Sequence, residues 1–361
     1  MIIFLNYGNR IKGEGAYRSM KNLFLLFTAA AAFAAVFTPL IRKLAIHIGV
    51  IDVPRDKRRV HDKPIPLLGG LAIFLAFVIT AVLKKGPVTK SESGILLGAA
   101  IVVLGGFLDD KYDLKPWQKL SFQVAAAVTL ILFDIKIHII TNPFFTGNQY
   151  LSIGWISIPL TIIWVVGITN ALNLIDGLDG LAAGIGLISS LTLLVIAIFS
   201  NRPEAMAFTS ILAGAILGFL PYNFNPASIF LGDTGAQLLG FLLAAISMEG
   251  ALKSAAAFVI AVPILAMGLP IYDTLFAMIR RKINGKPIMQ ADKGHLHHRL
   301  LAMGLSQRQA VIIMYLISAV LGSFAIIAML LSSQRGYFLL AAVMLILVIV
   351  GWRFGFFKHE D

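Results

Sequence analysis

The chain has 361 residues, 58% of them hydrophobic and 13% charged, with a formal net charge of +12. Its many apolar runs approach the roughly 20 residues that cross a bilayer, which a soluble core does not need, so the fold class is an all-α polytopic membrane protein. Cysteine is absent, which excludes a disulfide framework and a thiol nucleophile. In a membrane protein the positive excess records topology and anionic lipid, and no nucleic-acid partner is expected.

In chain order, residues 1–22 read as an N-terminal extension, with Met20-Lys21-Asn22 directly before the first apolar run and Met20 as an alternative start. That run is long and lacks a small-residue cleavage site, so it reads as a span and not as a signal peptide. Spans are expected at about 23–41, 67–83, 93–108, 118–133, 156–172, 181–199, 205–220, 235–248, 254–279, 310–331 and 336–355, about 11 in all. They form one integral membrane domain over 23–355, followed by a cytoplasmic tail at 356–361. Residues 134–155, after span 4, carry Asn142-Pro143 and Gly147-Asn148 turns and read as an extracytoplasmic hairpin. Span 9 holds Pro263, Gly268, Pro270 and Asp273, so it should kink or break, opening a groove for a lipid tail or serving packing alone.

Charge sets the orientation. The loops after spans 1, 3 and 9 carry seven, three and seven Lys+Arg, whereas those after spans 2, 4, 6, 8 and 10 carry three, one, one, one and one. The richer set belongs inside, which puts the N-terminus outside and the C-terminus in the cytoplasm. Asp109, Asp110 and Asp113, then Asn170 to Asp179, then Asn223, Asn225 and Asp233, then His295, His297 and His298 all fall on that inner side. The topology follows from Lys and Arg alone, so this one-sidedness is independent of it.

Each group carries its own chemistry. Asn170, Asn173, Asp176 and Asp179 recur every third residue, each turned about 60° from the last on a helix. Gly177 and Gly180 argue that the helix ends there and that the later members line a turn. No basic residue accompanies them, and carboxylates at a membrane edge call for water, a cation or a polar ligand. In Asp109-Asp110-Lys111-Tyr112-Asp113 the third acid falls near both others on a helical turn. Such oxygens suit Mg²⁺ or Mn²⁺, or a general base, or merely a solvated loop. Lys119 pairs with phosphate or marks the inner edge of span 4. Asp233, before Thr234 and Gly235, is either a helix N-cap or part of a site. Phe230 stacks on a base or packs against lipid. His295, His297, His298 and Arg299 sit among cations that suit phosphate contact better than a metal. The basic run from Arg55 to Lys63 steers anions inward or records topology.

Taken in order, Pro64-Ile65-Pro66 with Gly69-Gly70, Leu108-Asp109-Asp110, Asn170 to Gly180, Phe230 to Gly235 and His295 to Leu300 resemble the polyprenyl-phosphate N-acetylhexosamine-1-phosphate transferase superfamily. The His-x-His-His-Arg form resembles its GlcNAc-1-phosphate branch, which starts teichoic acid or lipopolysaccharide O-antigen synthesis; the translocase branch favours three consecutive histidines. The resemblance implies transfer of GlcNAc-1-phosphate from UDP-GlcNAc to undecaprenyl phosphate with release of UMP, in the bacterial plasma membrane. It implies Mg²⁺ (or Mn²⁺) as cofactor, and family precedent gives a homodimer. Asp109 and Asp110 match the aspartates that handle the lipid phosphate, as positioning groups or base. Asp233, with Asp176, matches the metal site, and Asp176 counts also as catalytic. Asn170, Asn173, Gly177, Leu178 and Asp179 match the nucleotide cleft, with Asp179 and Phe230 toward the uracil and Asn223 in the same pocket. Lys119 and the three histidines match catalytic groups near the phosphates, and Arg299 a substrate contact. The alternatives are phospho-MurNAc-pentapeptide translocase activity or, in another class, a secondary transporter or lipid flippase. Transporters place key polar groups near the midplane and show repeated halves; here the acids gather at one side and no repeat is evident.

Overall fold

Local chemistry decides where the helices of this chain start and stop. The structure, a computed structural model, describes residues 14–53, 64–141, 150–249, 261–287, 294–331 and 333–353. The expectations for residues 1–13, Arg55 to Lys63, the two turns within 142–149, the first part of span 9, and the tail at 356–361 lie outside them. The described elements are α1 (Glu14–His47), β1 (Ile51–Asp52), β2 (Ile65–Pro66), α2 (Gly69–Leu83), α3 (Lys90–Tyr112), α4 (Pro116–Leu132), β3 (Ile139–Thr141) and β4 (Tyr150–Ser152). After a 3₁₀ turn (Gly154–Ile156) come α5 (Ser157–Ile175), α6 (Leu181–Phe199), α7 (Pro203–Asn223), α8 (Gly232–Ser247), α9 (Ala261–Ala266), α10 (Gly268–Ile283), α11 (Leu296–Ala302), α12 (Gln307–Leu330) and α13 (Ser333–Arg353).

Capping explains several boundaries. Thr89 and Glu92 form a capping box at α3, as Ser306 and Gln309 do at α12, each satisfying amides the first turn would leave unpaired. Pro116 opens α4, where its missing N–H costs nothing. Asp113 ends α3 with φ 52 and is exposed, so it leaves the cluster expected with Asp109 and Asp110.

Among the described residues six helices are long and apolar enough to cross a membrane, and two shorter apolar helices accompany them. The chain is thus an all-α integral membrane protein. α1 begins at Glu14, so its 34 residues include 14–22, ahead of the first apolar run. No Gly or Pro lies between Ala16 and Phe37 to stop it. The interruption of span 9 falls at Met267 (φ −109, ψ 25), between α9 and α10. β3 and β4 pair antiparallel within the segment read as a hairpin.

The core is built around α8. From Thr234 to Ser247 every residue is buried, and the helix packs against α2, α3, α5, α6 and α7. A helix apolar on all faces has no solvent side to present. Its polar N-terminus therefore lies inside the bundle among the ends of other helices. α1 lies along α7, where Gly214 and Gly218 admit the backbone of Phe27 and Ala31, and Ser210 donates to the Leu23 carbonyl at 2.7 Å.

Candidate active site

Two strands of the sequence position the start of α8. The Phe230 N–H donates to the Pro66 carbonyl (2.8 Å), while the N–H groups of Gly69 and Gly70 donate to Phe230 and Leu231 (both 2.9 Å). The Pro64 to Gly70 motif is thus a backbone splint for residues 230–231, and half-buried Phe230 is held through its main chain.

Asp110, at the end of α3, closes the other side. Its Oδ1 accepts from the Asp233 N–H (2.7 Å), and its Oδ2 accepts from the Thr234 N–H (3.0 Å) and hydroxyl (2.5 Å). A carboxylate from a distant helix thereby caps α8, favoured by the partial positive charge of a helix N-terminus. Gly232 makes room, since a Cβ there would fall 2.7 Å from Asp110 Oδ2, and its φ of 73 disfavours a side chain. The cap that α8 needs comes from Asp110, which leaves the Asp233 carboxylate free for other work.

Asp233 meets Lys119 (3.4 Å) through Oδ2 and the Asn173 amide (2.5 Å) through Oδ1. Lys119 bridges to Asp109 Oδ2 at 2.5 Å, and Asp109, only 4% exposed, accepts from the Leu114 N–H at 2.9 Å through its other oxygen. Asp176, at the end of α5, adjoins Asp233, Asp110 and Asp179. Burial first, then those three neighbours, holds its carboxyl well above the usual carboxylate range. Its N–H donates to the Asn173 carbonyl (3.3 Å), but among the described residues its carboxyl group has no hydrogen-bond or ion-pair partner.

The rest of the polar run divides by face. Asn170 turns away from the acids and exchanges hydrogen bonds with Gln123, which also donates to Gln237 (3.3 Å) in a buried carboxamide network. Leu178 sends its side chain into the apolar core. Asp179 Oδ2 accepts from the Asn225 amide and the Ala227 N–H, both at 3.0 Å. Asn225 also donates to Gln307 (2.7 Å) and accepts from Arg308. Buried Asn223 donates to the Ile229 carbonyl at 3.0 Å. Asp179 and Asn223 thus brace the loop between α7 and α8.

The histidine motif reaches the same place from the other end of the chain. His297, 2% exposed, presses its Nε2 edge against Gly177, where a Cβ would collide with the ring. Burial, then His298, lowers its pKa to about 4, so it is a neutral imidazole. His295 stacks on His297 with ring centroids 5.9 Å apart, and exposed His298 lies 4.2 Å beyond. Arg299 Nε and buried Arg280 Nη1 both donate to the Gly294 carbonyl. Arg299 also lines an open apolar cavity with Leu269, Phe276, Leu300, Leu321 and Leu347.

Sequence reasoning missed Gln123, and gave Asp273 only to a kink. For Asp273 the signal was an acid inside an apolar run, which demands a partner.

Residues 93–251 match the model of glycosyl transferase family 4. Over 309 residues the chain is 42% identical to a probable undecaprenyl-phosphate N-acetylglucosaminyl 1-phosphate transferase of Bacillus subtilis, covering 85% of each. It is 36% identical over 335 residues to the decaprenyl-phosphate N-acetylglucosaminephosphotransferase of Mycolicibacterium smegmatis, covering 85% of this chain and 82% of that one. To the undecaprenyl-phosphate alpha-N-acetylglucosaminyl 1-phosphate transferase of Escherichia coli K12 it is 26% identical over 324 residues, covering 89% and 86%. With the ordered motifs meeting at one end of the bundle, these matches make the chain a member of glycosyl transferase family 4, within the polyprenyl-phosphate N-acetylhexosamine-1-phosphate transferases.

Proposed function

We propose that this protein transfers GlcNAc-1-phosphate from UDP-GlcNAc to undecaprenyl phosphate at the cytoplasmic face of the bacterial plasma membrane, with its N-terminus outside. An oxygen of the lipid phosphate attacks the β-phosphorus of the donor. The bond from that phosphorus to the bridging oxygen breaks, and UMP departs with the oxygen. The observation that carries the reading is the convergence of Asp109, Lys119, Asn173, Asp176 and Asp233 from four helices.

The residues divide the work. Both reactants are anionic, so catalysis consists largely of alignment and neutralisation. Lys119 is the ammonium poised for a phosphate, held by Asp109 and Asp233. Both Asp109 oxygens are already engaged, which supports a positioning role over a base role. A base is scarcely needed, because a phosphate monoester with a second pKa near 6 is largely dianionic at neutral pH. The donor set also suits Mg²⁺: the Asp176 carboxyl stands beside Asp233 with no hydrogen-bond or ion-pair partner among the described residues, a cation there would favour its ionised form, and carboxylate oxygens are hard ligands. Asp176 and Asp233 would hold the ion, which when bound neutralises pyrophosphate charge. The apolar cavity beside α10 suits a hydrocarbon chain.

UDP-GlcNAc as donor rests on the His-x-His-His-Arg form and on the names of the relatives. The test is UMP release by purified protein given undecaprenyl phosphate and Mg²⁺, with UDP-GlcNAc and UDP-MurNAc-pentapeptide in parallel arms. Release is expected only with UDP-GlcNAc, and chelation should abolish it. Folded protein that releases no UMP from either donor would overturn the enzyme reading in favour of a transporter.

A further inference from the structure

Asp273 lies on α10, six residues after the break at Met267, and is 5% exposed inside a membrane protein. Such a carboxylate needs its oxygens satisfied. Oδ1 accepts from the Leu296 N–H at 2.9 Å, and Oδ2 lies 2.7 Å from Nδ1 of His295, itself 5% exposed. The Leu296 N–H takes Oδ1, which leaves Oδ2 to face His295; an ionised Asp273 can only accept, and would then require the proton of that contact on Nδ1. The next links are the stack of His295 on His297 and the contact of His297 with Gly177, the neighbour of Asp176. A continuous series of contacts joins the broken helix to the acidic cluster.

We infer that Asp273 is a positioning residue for the transfer reaction: it fixes His295 as the Nδ1–H tautomer and seats the start of α11, so that His297 is held against Gly177. The inference rests on the transfer reading above. Carboxylates that orient metal-bound imidazoles account for about 10- to 100-fold in activity, and an effect of that order is expected here.

Asp273→Asn isolates the effect. The Leu296 N–H is always a donor, so the new amide oxygen stays with it and the amide NH₂ faces His295. Nδ1 must then accept, and the proton moves to Nε2 with the geometry preserved. In ¹⁵N-histidine-labelled protein the His295 resonances, assigned by difference from His295→Asn, should show a protonated Nδ1 in the wild type and a protonated Nε2 in Asp273→Asn. Turnover should fall roughly 10- to 100-fold with KM for UDP-GlcNAc within about threefold. An unprotonated Nδ1 in the wild type, or full turnover in Asp273→Asn, overturns the inference. Should that variant fail to fold, His295→Asn, whose amide nitrogen replaces Nδ1 as donor, carries the kinetic arm; an undiminished turnover number there also overturns it. A wild type that releases no UMP while showing a protonated Nδ1 defeats the functional reading and leaves the Asp273–His295 pairing standing.

Discussion

Asp110→Asn separates two readings of the second aspartate of the pair. The carboxylate accepts three hydrogen bonds from Asp233 and Thr234. An amide presents one oxygen, so at least one N–H of α8 would face an NH₂ group and lose its acceptor. A buried donor without a partner costs about 1–3 kcal/mol. Loss of a negative charge at a helix N-terminus adds about 0.3–1 kcal/mol, more where partly buried. Together these come to about 1–4 kcal/mol, which should lower the melting temperature by roughly 2–5 °C if the chain unfolds as one unit, and by more if a smaller unit unfolds first. Turnover should fall as well, because the same turn carries Asp233. Gly232→Ala should reproduce both effects, since its Cβ would fall 2.7 Å from Asp110 Oδ2. The assay pairs tryptophan-fluorescence melting in detergent with UMP release. If Asp110→Asn abolished release at an unchanged melting temperature, Asp110 would be a reacting group and the cap argument would be wrong.

Two titrating residues give further expectations. Because burial raises the pKa of Asp176, the folded state holds its proton more tightly than the unfolded state does. The residue is thus a stability penalty at neutral pH that disappears as pH falls toward the unfolded value of about 4. Asp176→Asn should melt higher than wild type at pH 7.5, equal it near pH 4, and release no UMP; a lower melting temperature at pH 7.5 would refute the assignment. His297 has the opposite sign, its pKa being lowered to about 4. Its penalty is absent above the unfolded value of about 6.5 and grows as pH falls, reaching about 3 kcal/mol below pH 4. His297→Gln should lose less melting temperature than wild type between pH 7 and 5, and parallel curves would rule this out.

The sequence alone determined that the chain is a helical membrane protein and where several of its long apolar helices lie. That conclusion rests on run length, a local quantity that the bilayer reads directly. The span read at 181–199 coincides with α6 because Gly180 and the 200–202 turn mark its ends in the chain itself. The ordered motifs likewise announced the family. What each polar residue touches was decided only by tertiary structure. Asp109 and Asp110 are adjacent and chemically identical, yet one holds Lys119 and the other caps α8. Asn170 and Asn173 belong to one three-residue spacing, yet one joins Gln123 and the other Asp233. A side chain's role depends on which groups other helices bring within about 3 Å, and hydrogen bonding at that range is set by packing and not by sequence distance.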